Sequence, residues 1–315
     1  MSEIRFFYQE DNRIKMSRSM DILKTTPMEN FLWIDLNDVS EEVENELEQF
    51  LKIYIQEEEE LEEIEISSRY METTDSIVAN STFLLDNFEE ENISFILKNG
   101  ILVSVRNEHL RSFNETVKKM FASPKNYQNG YHILVDLLAT RVDYDADMIE
   151  NMTKEITALS SEIKTDEDAS DDVLIKIKDL QEKTMLIREN IVDKQRVCSN
   201  MLKSELIPLD MRNKLTIIIK DINSLFEHNR FSFDRLEYLQ EAVIGLINIQ
   251  QNKTIKIFTI VSLIFMPPTL IASIYGMNFV EMPELHWKYG YLMSIASMVV
   301  VVLGILFYFK RKKWL

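Results

Sequence analysis

The chain has 315 residues, enough for two ordinary domains or for one domain joined to a membrane segment. Its 35 Lys and Arg against 52 Asp and Glu leave a net charge of −17; from Gln251 onward 7 bases face 2 acids, so the first 250 residues hold the other 28 bases and 50 acids, a net of −22. Such an acidic body excludes a nucleic-acid surface, which needs Lys and Arg to replace phosphate counterions, and suits a protein that handles cations, although solvated acidic helices give the same balance. The single cysteine, Cys198, excludes a disulfide framework and a Cys-based zinc cluster, and its mixed-polarity surroundings predict an ordinary half-buried thiol.

Along the chain, the opening Met-Ser-Glu-Ile-Arg lacks the basic segment and apolar core of a signal peptide. Ile4-Arg5-Phe6-Phe7-Tyr8 and Phe31-Leu32-Trp33-Ile34-Asp35-Leu36 predict strands, rich in aromatic and β-branched residues. Ser40, followed by Glu41 and Glu42, predicts a capped helix start with acids at the positive end of the dipole. Residues 77–86 predict another strand, and 93–97 and 101–105 flank Lys98-Asn99-Gly100, where Asn-Gly favours a tight hairpin. Strands with helices at their flanks predict a small α/β or α+β domain.

Beyond Gln128 long helices take over. Residues 131–164 form one, with Ile133, Leu134, Leu137, Leu138 and Val142 on a single face. Acidic residues 166–172 predict a solvated loop before a second helix over 173–204; an EF-hand loop would need a central Gly and a terminal Glu that are absent. Pro208 breaks the pattern, and a third helix starts near Asp210 with nothing to stop it before Pro267.

Residues 257–280 and 289–309 carry no charge, and each is long enough, at about 1.5 Å per residue, to cross a hydrocarbon core of about 30 Å. Lys253 and Lys256 precede the first stretch and Lys310, Arg311, Lys312 and Lys313 follow the second, while the loop between carries Glu281, Glu284 and only Lys288. The positive-inside rule then puts both ends in the cytoplasm. Along the third helix and on into the first stretch, Asn248, Gln251 or Asn252, Ile255, Phe258, Ser262, Met266, Thr269 and Ser273 recur at steps of three or four, too polar at Ser262, Thr269 and Ser273 for a lipid-facing surface. This spacing fits both a tight helix bundle and a stripe lining a central axis.

Enzyme signatures are missing: there is no glycine-rich phosphate loop, Gly-x-Ser-x-Gly elbow or His-Glu-x-x-His, and the four histidines, His109, His132, His228 and His286, are scattered and predict surface or capping roles. The turn Tyr275-Gly276-Met277-Asn278 is different. Gly276 frees backbone carbonyls beside an Asn amide, whose neutral oxygen suits Mg²⁺ or its hydration shell and lets an ion both enter and leave. One Asn per chain is not a site, whereas a symmetric ring of copies would be one. An Asn-containing helix cap, with Gly276 ending the helix, accounts for the same residues.

Tyr275-Gly276-Met277-Asn278, with Met282-Pro283-Glu284-Leu285, Trp287-Lys288-Tyr289-Gly290-Tyr291 and the terminal Phe309-Lys310-Arg311-Lys312-Lys313-Trp314-Leu315, resembles the CorA family of divalent-cation channels. So do Asn248-Ile249-Gln250-Gln251-Asn252, Ile257-Phe258-Thr259 and Met266-Pro267-Pro268-Thr269-Leu270. The resemblance implies a homopentameric funnel in the inner membrane: an α+β cytoplasmic domain with long helices, and a stalk helix running into a two-helix transmembrane hairpin.

On this pattern residues 1–128 are the α/β domain, 129–208 paired helices, 209–254 the stalk, 255–277 the first span, 278–288 a periplasmic loop, 289–309 the second span and 310–315 a basic tail. Asn278 would ring the outer mouth and hold hydrated Mg²⁺, with Gly276, Tyr275 and Met277 beside it. Ile255, Phe258, Ser262, Met266, Thr269 and Ser273 would line the pore, Met266 and Phe258 as constrictions. Lys310 to Lys313 would form a basic collar, and Asp221 and Glu227 are candidates for a regulatory Mg²⁺ site. The implied function is Mg²⁺ influx driven by membrane potential, with Co²⁺ and Ni²⁺ as passengers, gated by cytosolic Mg²⁺, with no other cofactor. The alternatives are a Zn²⁺ transporter of the same fold and a membrane-anchored helical scaffold.

Overall fold

A computed structural model describes residues 3–11, 13–56, 69–163, 169–277, 279 and 282–312. The chain divides into two compact units, Met1–Glu162 with Leu174–Gln240, and Ile163–Val173 with Glu241–Leu315. The architecture is α+β: a mixed sheet, long helices and an apolar two-helix C-terminal region.

The first unit is built on β1 (Glu3–Glu10), β2 (Arg13–Ser17), β3 (Phe31–Asn37), β4 (Tyr70–Glu72), β5 (Ser76–Leu84), β6 (Glu90–Lys98) and β7 (Ile101–Arg106), in the order β2-β1-β3-β7-β6-β5-β4. The β3–β7 pair is parallel and the other pairs antiparallel. Asn99 and Gly100, at φ 53° and 81°, close the β6–β7 hairpin with Lys98 opposite Ile101. Both angles are left-handed, the geometry that makes Asn-Gly the favoured tight turn.

Side chains alternate across the sheet and give it two buried faces. One carries Phe6, Ile34, Leu36, Ile96 and Val103 against Leu47 and Leu51 of α2 (Glu41–Leu51), which follows a single turn α1 (Ile22–Thr25). The other is aromatic: Phe7 stacks on Trp33 with ring centres 4.9 Å apart, and Trp33, Phe83 and Phe95 pack towards Phe113 of α3 (Arg111–Ala122). Asp35 sits on this second face, fully buried between Arg5 and Arg106 at 2.6 and 2.9 Å. Burial alone would raise its carboxyl, but Arg106 and Arg5 override that and hold it below the usual carboxylate range.

Helices α4 (Gly130–Glu162), α5 (Asp171–Lys203) and α6 (Leu209–Tyr275) bury apolar residues that include Ile149 and Met152, Ile187 and Ile191, and Leu215 and Ile222. Hydrogen bonds cross between them, from Asn229 Nδ2 to the Thr184 carbonyl (3.2 Å) and from Arg235 to Thr157 Oγ1 (2.9 Å).

Several details differ from the sequence reading. Ser40 holds the extended conformation of an N-cap but its hydroxyl makes no capping bond; Glu41, Glu42 and Glu44 supply the negative charge in that first turn. Asp171 and Asp172 belong to the first turn of α5 rather than to a loop, again where acids complement the dipole, while 164–168 lie outside the described residues. His132 is not at the surface: it is buried in the first turn of α4, with Nδ1 2.8 Å from Asn129 Oδ1 and Nε2 3.1 Å from Asp210. Cys198 is fully buried, and burial pushes its thiol up to about 12.

Candidate functional site

The second unit holds the C-terminal part of α6 and the helix α7 (Gly290–Arg311), each long and apolar enough to cross a membrane. Only 6% of the most apolar window of either helix is buried, which distinguishes them from the core helices of a soluble domain. Helix α6 runs through Pro267 and Pro268. Neither proline can donate to the carbonyl four residues back, so the Leu263 and Ile264 carbonyls lose their helical partners and need water or protein in their place.

At 100° per residue Ile255, Phe258, Ser262, Met266, Thr269 and Ser273 fall within an arc of roughly 80°. All six are exposed in the single chain, Ile255, Phe258 and Met266 at 61%, 69% and 65%. Buried Ile260 and part-buried Ile264, Pro267 and Ile271 lie on roughly the opposite side. Leu263, Met266 and Pro267 line a groove of ≈ 700 Å³ together with Val301, Gly304, Ile305 and Phe309 of α7. Thr269 Oγ1 donates to the Phe265 carbonyl at 2.8 Å, keeping its lone pairs on the exposed side available to a cation or its water.

Helix α6 closes with Gly276 N–H shared between the Ala272 and Ser273 carbonyls (2.9 and 3.2 Å) and Met277 N–H on Ile274 (3.3 Å). A Cβ at Gly276 would meet the Ala272 oxygen at 3.1 Å, so glycine suits this last turn by its lack of a side chain. Tyr275 and Met277 are exposed, and Asn278 lies outside the described residues. Beyond the turn Trp287 and Tyr289 meet edge to face at 6.2 Å, and Tyr291 is exposed; aromatic rings cluster in this way at membrane–water interfaces. At the other end Lys310 and Arg311 occupy the last turn of α7, and the Lys312 N–H bonds the Tyr308 carbonyl at 3.1 Å, while Lys313 lies outside the described residues. Cations there complement the negative end of the helix dipole.

The two acids proposed for regulation stand on the other unit's portion of α6. Asp221 is exposed, and Glu227 is exposed and ion-paired to Arg230 at 2.8 Å. Among the described residues no group of three or more His, Cys, Asp or Glu could hold a metal within one chain. Sequence reading missed the buried cluster of Arg141, Asp145 and Lys194, whose members come from α4 and α5 and are separated by 53 residues at most. Only the i, i+4 spacing of Arg141 and Asp145 hinted at it.

A sheet-and-helix unit together with a unit that holds two helices long and apolar enough to cross a membrane defines a membrane protein with a large extramembrane body. The model of the "CorA-like Mg2+ transporter protein" family matches residues 28–311, and the chain belongs to that family. It is 42% identical over 294 residues to a magnesium transport protein CorA of Wolinella succinogenes, covering 91% of this chain and 92% of that one. It is 34% identical over 319 residues to the Escherichia coli K12 magnesium transport protein CorA, covering 98% and 99%. Among solved structures, the CorA magnesium transporter of Methanocaldococcus jannaschii superposes with a TM-score of 0.81 at 19% identity, covering 100% of this chain and 99% of that one. A ZntB cytoplasmic domain from Vibrio parahaemolyticus superposes at 0.58 with 14% identity, covering 78% and 98%. The family is one of transporters, not enzymes.

Proposed function

We propose that the chain is one subunit of a homopentameric channel that carries Mg²⁺ into the cell across the inner membrane, with both termini cytoplasmic. The observation that carries this reading is the stripe from Ile255 to Ser273, left uncovered on roughly the opposite side of α6 from Ile260, Ile264 and Pro267. In lipid the hydroxyls of Ser262, Thr269 and Ser273 would be costly to expose; around a shared axis they meet water and ions. The magnesium assignment rests on the Gly276-Met277-Asn278 turn and on the curated relatives, named magnesium transport proteins. The fold is shared with a ZntB domain, so the fold alone does not choose between Mg²⁺ and Zn²⁺.

Residues 255–277 and 289–309 are the two spans on this reading, 278–288 the periplasmic loop and 310–315 the cytoplasmic tail. Asn278 from five copies rings the outer mouth and holds the ion through its water shell. The inside-negative potential favours entry of a doubly charged ion by about 4.6 kcal/mol per 100 mV, and it draws Co²⁺ and Ni²⁺ as passengers. Met266 and Phe258 are apolar constrictions that close the path by excluding water. Cytosolic Mg²⁺ bridging acids of neighbouring subunits, Asp221 and Glu227 among the candidates, holds the closed state by lowering their repulsion.

The test is Mg²⁺ flux into proteoliposomes under an imposed potential. Wild-type vesicles low in internal Mg²⁺ take up Mg²⁺, and Asn278→Ala loses uptake while keeping the assembled oligomer. Wild-type vesicles that stay tight to Mg²⁺ overturn the reading; Zn²⁺ flux under a pH gradient in their place establishes the zinc reading, and no flux at all favours the scaffold.

A further inference from the structure

The first unit carries a basic groove that the transport reading leaves unused. It runs along α5 as two joined hollows of ≈ 500 and ≈ 600 Å³ that share Arg69, Asp193 and Arg196. Arg188, Val192, Arg196, Asn200 and Lys203 follow one another at helical steps of three or four and form one wall. Four cations in one groove stand out in a body whose first 250 residues carry a net −22.

The acids of the groove take up Arg69 and leave Arg188, Arg196 and Lys203 available. Asp193 is already engaged by Arg69 Nη1 (2.8 Å), Ser81 Oγ (2.8 Å) and the Thr82 N–H (3.0 Å). Glu90 and Glu189 are exposed, where water and salt screen their charge. Arg188 lies over the Phe226 ring at 5.0 Å, a stacking that fixes the guanidinium plane and leaves its N–H edges open. Arg188 and Arg196 are both exposed, so their guanidinium edges reach solvent.

The second observation is independent of charge. Asn229, at 1% exposure, lines the ≈ 500 Å³ hollow with its amide nitrogen on the Thr184 carbonyl and its oxygen, Oδ1, without a partner. A buried carbonyl oxygen left in this state calls for a donor. An occupant with an anionic part meets the guanidinium edges, and a donor group that enters beside Asn229 meets an oxygen that is closed to solvent. The volume is that of a small-molecule site.

We propose that this groove binds a phosphate-bearing metabolite of nucleotide size, its phosphates held by Arg188, Arg196 and Lys203. Bidentate, charge-assisted hydrogen bonds are the strongest way for arginine to hold phosphate oxygens. The site lies within one unit and does not depend on the pore reading.

Calorimetric titration of the full-length protein in detergent, without Mg²⁺, with inorganic pyrophosphate and separately with ADP tests it. Both anions bind saturably, and the Arg188→Gln/Arg196→Gln double variant, altered only at exposed positions, binds at least tenfold more weakly with an unchanged Tm. Tighter binding of ADP than of pyrophosphate shows that the nucleoside donors are read, and equal binding shows that the phosphates suffice; either supports the site. Lys154→Gln, a change to an exposed lysine paired with Glu150 outside the groove, leaves binding intact. Absence of saturable binding for both anions, or equal loss in Lys154→Gln, overturns the proposal.

Discussion

Lys194 Nζ lies 3.1 Å from Asp145 Oδ2, with both side chains almost wholly buried, close enough for an ion pair but not aligned as a hydrogen bond. The lysine donates instead to the Asn190 carbonyl at 3.2 Å and to the Asn190 side-chain oxygen, while Asp145 takes the Arg141 guanidinium at 2.7 Å. Both cations also stand 5.0 Å from the ring centre of Phe83. Two positive charges therefore share one buried carboxylate. Burial is the main influence on Lys194 and Arg141 adds to it; against the pull of Asp145 they bring its ammonium down to about 8.

That depression sets a pH dependence with a definite sign. Below about pH 8 Lys194 is charged in the folded and the unfolded chain alike, and its burial penalty is fully present. Between about 8 and the ordinary 10.5 the unfolded chain binds the extra proton, so stability rises with pH. Relative to Lys194→Met, wild type gains on the order of 2 kcal/mol between about pH 8 and pH 10. Tm of both proteins across that range measures it, and parallel curves would contradict the assignment.

Asp35→Ala strands two buried guanidiniums, Arg5 and Arg106. Removing one partner of a buried ion network costs about 3–5 kcal/mol, which denaturant unfolding monitored by Trp33 fluorescence will register. Because the carboxyl is held low, the stability it supplies is present above the ordinary carboxylate range and is lost as pH falls through its folded value.

Gly130→Ala attacks the fold where no charge is involved. Its N–H reaches the Gly100 carbonyl at 2.5 Å, and a Cβ would stand 2.3 Å from the Leu102 backbone nitrogen and 2.8 Å from the Ile101 carbonyl carbon. Backbone cannot rotate aside as a side chain can, so β7 must shift. A loss of about 3 kcal/mol or more is expected, read as a lower Tm or a lower yield of folded protein.

Cys198 gives a test of burial without mutation. A thiol that is fully buried and pushed up to about 12 is neither accessible nor ionised at pH 8. Maleimide labelling of native protein is expected to be negligible over an hour and complete in guanidinium. Rapid native labelling would show that the α5 packing opens.

For the pore, Met266→Ser replaces an apolar ring by hydroxyls and lowers the cost of wetting the constriction. On the proposed function, in which high internal Mg²⁺ closes the wild-type channel, proteoliposomes loaded with high internal Mg²⁺ are expected to leak several-fold faster with the variant.

The sheet was legible where aromatic and β-branched runs were long. β1, β3, β5, β6 and β7 all stood out, and Asn99-Gly100 fixed the β6–β7 turn. β2 and β4 were missed for a common reason: both are short edge strands, of five and three residues, without the aromatic and β-branched runs that marked the others. The stripe of α6 was legible because 3.6-residue spacing survives in any long helix, and its exposed face follows from the same arithmetic. Contacts between elements left no such trace. Nothing in the spacing places Arg5 beside Arg106, His132 beside Asp210, or Lys194 beside Asp145, since each pairing is made by sheet order or helix packing.

Helix α6 is a single unbroken run of 67 residues, about 100 Å long, shared by both compact units. Its length therefore has a phase. On the proposed function, one residue inserted between Gln240 and Lys253 turns the stripe by about 100°, moving Met266 to the angular position that Pro267 holds, whereas seven residues return the stripe to within about 20° of where it began. Length variation among working versions of this helix should accordingly come in heptads, while the loops of the sheet are free to change one residue at a time.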